Sequence, residues 1–126
     1  MKFLVLLGRI LFATIFLLSS THIFSSATVE QAANHGVPLA PILVRIAGAF
    51  AVAGGISIIL GYKAKFGAWL IILFLVPVTL MMHNFWAVTD PMMRQTQQIM
   101  FLKNISMLGG AMMIAYFGSG PYSLDR

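Results

Sequence analysis

Cysteine is absent from the 126 residues, and carboxylates nearly so: three Asp or Glu side chains stand against eight Lys or Arg. Without thiols there is no disulfide scaffold, no iron–sulfur ligand set and no thiol–disulfide relay. Charge of either sign is scarce, at 9% of residues, whereas a soluble domain carries about 25%. Such a chain cannot clothe a water-facing surface, so lipid is its expected solvent. The net charge of +5 comes without any run or cluster of Lys and Arg, which removes the electrostatic footprint of a nucleic-acid binder.

What remains is apolar: 60% of residues are hydrophobic, and the mean hydropathy is +0.92. Four stretches, approximately 3–24, 39–60, 66–88 and 99–118, are each long enough to cross a hydrocarbon core of about 30 Å as a helix. The expectation is one domain over residues 1–126, an all-α integral membrane four-helix bundle. Asp90-Pro91 reads as a helix start, with Asp90 as N-cap and Pro91 at the first helical position, ahead of the fourth span. The first span has some features of a signal peptide. Its apolar run is too long, however, and Arg9 interrupts it, so a permanent helix is expected. Lys2, Lys63, Lys65 and Arg126 fall at the termini and second loop, against Arg94 alone in the first and third loops. That asymmetry predicts N-in/C-in topology in the cell's inner (plasma) membrane, multi-pass. The first loop, Ser25 to Pro38, then faces outward, with helical turns over 27–34 stopped near Gly36.

Helices in lipid associate through small residues. The second span offers two such rows, Ala49/Ala53/Ser57/Gly61 and Ala47/Ala51/Gly55, and the fourth has Ser106/Gly110 and Ala111/Ala115. These rows mark either the bundle interior or a homodimer contact. Ionisable groups inside spans are costly, at roughly 2.5–3.5 kcal/mol each at the centre, and so point to function. His22, Arg45, His83 and Lys103, with Asn84 and Asn104 beside them, fall into one outer layer on four helices. Arg45 shares a face with Gly48 and Ala49, and Lys103 with Ser106 and Gly110, so both are expected to point inward. No carboxylate lies in that layer. An interior of cations, imidazoles and amides suits an electron-rich guest such as a quinone carbonyl, a lipid phosphate or a small anion. Arg9, in the inner half, is expected to snorkel to the inner headgroups. Pro77 should kink the third span. Met93, Met100 and Met107 are expected to pack rather than bind metal.

Gly54-Gly55 with Leu60-Gly61, His83-x-Phe85-Trp86 and Phe101-x-Lys103-Asn104 with Leu108-Gly109-Gly110 together resemble the DoxX family of small membrane proteins. The tail Gly118-x-Gly120-Pro121-Tyr122-Ser123-Leu124-Asp125 resembles that family's ending. Where many members carry a Glu before the glycine pair, this chain has Ala51, so a role for that acid does not transfer. The resemblance implies a four-helix bundle in a redox or quinone setting.

The expected function is a quinone- or lipid-like ligand-binding subunit in the bilayer, working with a redox partner protein, with quinone as the candidate cofactor. Its contacts would be His22, Arg45, His83, Asn84, Lys103 and Asn104, with Trp86 as a stacking surface. No catalytic or metal residue is assigned, because no nucleophile–base pair, nucleotide motif or carboxylate dyad is present. The chain would serve as an accessory subunit of a quinone-linked oxidoreductase rather than a catalyst alone. Two rival readings are a transporter of small anions or molecules, and a b-type haem protein with His22 and His83 as axial ligands.

Overall fold

The computed structural model describes residues 2–23, 26–121, 123 and 124, leaving aside the side chains of residues 2 and 20–23. Its elements are α1 (Lys2–Ile23), α2 (Ser26–Asn34), α3 (Ala40–Leu60), α4 (Ala64–Met82), a 3-10 turn (Phe85–Ala87) and α5 (Pro91–Phe117). Among the described residues, three segments are long and apolar enough to cross a membrane: Ala40–Leu60, Ala64–Ala87 and Pro91–Phe117. In α1 the apolar stretch with described side chains is Phe3–Ser19.

Local chemistry explains where the helices stop. Gly61 adopts a left-handed φ of 69°, and its N–H donates to the Ser57 carbonyl at 2.9 Å. The Tyr62 N–H reaches the same carbonyl at 3.1 Å, the usual glycine-ended closure of a helix. The Ser57 hydroxyl donates to the carbonyls of Tyr62 and Lys63 at 2.6 and 3.0 Å, tying this turn to the helix it follows. At the start of α5 the Asp90 side chain accepts from the Met92 N–H at 3.3 Å, with Pro91 in the first turn, as the sequence predicts. The short helix expected near 27–34 is α2, and Gly36 follows it at φ 86°.

Neighbouring helices run antiparallel, and the core interleaves alanines with large aliphatic and aromatic side chains. Ala13 and Phe16 of α1, Ala51 and Ile58 of α3, Ala68, Ile71 and Leu75 of α4 and Ala111 of α5 are all but fully buried. The closest approach joins α3 to α4. A Cβ on Gly54 would stand 2.7 Å from the Gly67 carbonyl oxygen, and one on Gly67 would stand 2.5 Å from the Ser57 hydroxyl. Without hydrophobic exclusion to drive helices together in lipid, such backbone contact supplies dispersion attraction over a broad area.

The expected packing faces are partly corrected. The Ala47/Ala51/Gly55 row is packed as predicted, whereas Ala49 and Ala53 are exposed. Arg45 sits on that exposed row and is itself exposed. On α5 the buried stripe runs through Asn104 and Ala111, about 100° round from Lys103. Gly110 does pack, against the Phe12 ring of α1, but Lys103, seven residues earlier on that stripe, is exposed, and so is Ser106. Small residues recur on several stripes of each helix, and four-residue spacing alone does not say which stripe a neighbour covers.

Arg9 is corrected outright. It is 3% exposed, and its guanidinium donates to the Ser119 carbonyl at 3.1 Å and to the Ser123 hydroxyl at 2.7 Å. The chain after α5 folds back under α1 and α3, where the Leu124 N–H donates to the Leu60 carbonyl at 3.1 Å. Snorkelling assumed that no internal partner stood nearby. The returning tail supplies one from more than a hundred residues away.

Candidate functional site

The opposite end of the helices is looser. Between α2, α3 and α4 lies a cavity of about 430 Å³. Val44, Ala47 and Phe50 of α3 form one wall and Phe74, Pro77 and Val78 of α4 the other. Helix α2 closes the end, bringing Thr28 and Gln31, and His83 lies at the foot of α4. The lining is apolar except at this end, so a guest would present a hydrocarbon body to α3 and α4 and a polar group toward α2. Pro77 cannot donate to the carbonyl of Leu73, one turn back, and both residues line the cavity. Helix α4 continues through Pro77 to Met82. His35, just after α2, holds the lid in place: its Nδ1 lies 3.2 Å from the Met81 carbonyl, which can only accept.

His83 connects this end to α5. Its Nδ1 donates to Gln97 Oε1 at 2.8 Å, and the ring is half-buried. Just beyond, Phe85, Trp86 and Phe101 form an edge-to-face trio with centroids 5.4–5.7 Å apart. Such tilted pairs match the quadrupoles of the rings, and Trp86, 53% exposed, turns its outer side away from the protein. Asn84 is half-buried, and its carbonyl accepts from the Ala87 N–H at 3.0 Å to cap the 3-10 turn.

The residues expected to share a site are therefore divided. His83 lies at the cavity, and Asn104 is buried on α5. Arg45 is exposed although Val44 and Ile46 on either side of it line the cavity, because successive residues point about 100° apart on a helix. Lys103 is likewise exposed. The His22 side chain lies outside the described residues. The α2 groups, Thr28 and Gln31, did not stand out in the sequence: helical turns over 27–34 are expected there, but nothing local says that they lie over α3 and α4. Gln97 could have been found: it lies seven residues before Asn104, on the same stripe of α5.

Comparison with known proteins places this architecture. A family model described as DoxX matches residues 4–84. The chain is 31% identical over 99 residues to the inner membrane protein YphA of Escherichia coli (strain K12), spanning 79% of this chain and 70% of that protein. The chain therefore belongs to the DoxX family and is a membrane protein. It is also 29% identical over 92 residues to the Surfeit locus protein 4 homolog of Schizosaccharomyces pombe, covering 72% of this chain but 30% of that protein. No solved structure matches. The family match ends at Asn84, so α5 lies outside it.

Proposed function

We propose that this protein is a ligand-binding subunit of the inner membrane, taking a quinone- or lipid-like molecule into the cavity between α2, α3 and α4. The cavity itself carries the reading. About 430 Å³ falls within the roughly 300–1,000 Å³ typical of small-molecule sites, and the polar groups gather at one end. A ring with a carbonyl, or a lipid head with one acyl chain, fits that division. The Gln31 amide offers N–H donors to such an oxygen, which suits a neutral guest. No carboxylate lies within the spans, and in this reading electrons come from a redox partner protein.

In this reading α1 is a fourth span. It has 22 residues against 21 in α3, and it packs antiparallel along it. With Lys63 and Lys65 in the α3–α4 turn, N-in/C-in is the favoured orientation. A cytoplasm-only reporter fused after Arg126 should then be active, and activity of a periplasm-only reporter there would defeat the assignment. For the ligand, wild type and Val44→Trp would be purified in mild detergent and their co-purifying small molecules compared by mass spectrometry. The larger side chain should fill the cavity and strip the bound quinone or lipid. Equal ligand content at matched yield would overturn the cavity as the site.

A further inference from the structure

His83 stands where the cavity meets α5, and its bond to Gln97 decides what its ring can offer a guest. The Gln97 Oε1 atom, 2.8 Å from the ring Nδ1, is a carbonyl oxygen and can only accept. The proton is therefore on Nδ1, and in the neutral ring Nε2 keeps its lone pair. The two ring nitrogens face nearly opposite ways, so with Nδ1 turned to α5, Nε2 is directed away from α5. The cavity lies on that other side: His83 is in its lining, and no described residue of α5 is. No hydrogen bond from the described residues reaches Nε2. The polar end of the cavity thus presents a fixed acceptor together with the N–H donors of the Gln31 amide.

A guest carbonyl satisfies only half of that pair. It can accept from Gln31, but against Nε2 it sets one lone pair on another and leaves the ring nitrogen unmatched. A hydroxyl satisfies both with a single oxygen: its O–H donates to Nε2 while the oxygen accepts from the amide. Among the described residues no charged side chain lines the cavity, so nothing there balances an ionised guest. We infer that the cavity selects a neutral guest bearing a hydroxyl over one bearing only a carbonyl, with His83 Nε2 as the acceptor and Gln97 as the positioning residue that holds the ring in that tautomer. This preference rests on the cavity being the ligand site, and adds which chemical form of guest it holds. The hydroxyl has two sources: the ring hydroxyl of a free small molecule, or the free hydroxyl of a neutral lipid.

Matched probes separate both the forms and the sources. Naphthol and tetralone carry a hydroxyl and a carbonyl on similar two-ring skeletons; dioctanoylglycerol and its acetate make the same contrast for a lipid. Protein in phosphatidylcholine nanodiscs would be equilibrated with each probe and the bound amount counted by mass spectrometry, with empty nanodiscs as the blank. Wild type should bind the hydroxyl member of one pair saturably and roughly two- to tenfold tighter than its partner, as one neutral hydrogen bond allows. The pair that shows the preference identifies the source. In His83→Leu the two members should bind alike, because the hydroxyl loses its acceptor. In Gln97→Leu they should converge from the other side: a ring released from Oε1 can carry its proton on Nε2 and donate to the carbonyl probe. A merely structural role would weaken both members together and leave their ratio unchanged, and Gln97→Leu serves as the second variant should His83→Leu not fold. Equal affinities in wild type, or an unchanged ratio in both variants, would overturn the inference; the cavity reading would stand if Val44→Trp abolishes binding of both members. Binding that survives in Val44→Trp, or saturable binding by no probe, would overturn the cavity reading and this preference with it.

Discussion

The two ends of this molecule are packed on different principles. At the Gly61 end, backbone meets backbone: Gly54 touches Gly67, Gly61 leaves room for the Arg9 guanidinium, and the returning tail is hydrogen-bonded to α1 and α3. At the α2 end about 430 Å³ of space lies between α2, α3 and α4, and side-chain bonds join the elements there, His35 to Met81 and His83 to Gln97. One end has no room to give, and the other has room to spare. A membrane protein that takes up a ligand needs both: a fixed platform, and a region whose contacts a guest can complete.

That contrast is most easily broken at its tightest point. Gly54→Val should cost about 3 kcal/mol or more, because the added carbons meet the Gly67 backbone, which has nowhere to move. The expected result in detergent is loss of a monodisperse, thermally cooperative species. Gly55→Val should be milder, since its nearest neighbour is the flexible Leu17 side chain at 3.1 Å. Equal melting temperatures for the two variants would show that the α3–α4 crossing is less rigid than its geometry indicates. Arg9→Met comes next. It removes charge-assisted bonds to Ser119 and Ser123, worth about 1.5–3 kcal/mol together with the order of the tail. Carboxypeptidase should trim the variant several-fold faster than wild type. Unchanged trimming would mean that the tail is held by something other than Arg9.

Much of this architecture is written in the sequence, because length, apolarity and loop chemistry act locally. The positions of α3, α4 and α5, the Asp90 cap and the stop at Gly61 all follow from residues within one turn of the feature they determine. Facing was harder to read. Arg45 and Lys103 were placed inside by sharing stripes with small residues, yet α3 and α5 carry small residues on several stripes, and only the neighbours' positions decide between them. Arg9 failed for a related reason: its partners, Ser119 and Ser123, lie at the far end of the chain. The cavity was invisible as well. It is lined jointly by α2, α3 and α4, and no single residue announces that meeting of three elements.

His83→Leu tests the looser end. It removes the bond to Gln97, and hydrogen bonds between membrane helices are worth about 0.6 kcal/mol on average, so the melting temperature should fall by only a few degrees. A collapse as large as that of Gly54→Val would show that the α2 end is as tightly determined as the Gly61 end, and the comparison would fail.

The smallest effect is expected from Lys103→Met, and it sharpens what the sequence left open. Lys103 stands one residue from the buried Asn104 but is exposed, midway along α5, where its long apolar stem can carry the ammonium along the helix toward the headgroups. Methionine keeps the length and apolar stem while deleting the charge. Stability should therefore change by less than about 0.5 kcal/mol, as for a surface substitution. Co-purified quinone or lipid should be retained, in contrast to Val44→Trp. Loss of the ligand at an unchanged melting temperature would reverse this assignment. It would mean that the guest reaches the ammonium group and that charge takes part in its recognition.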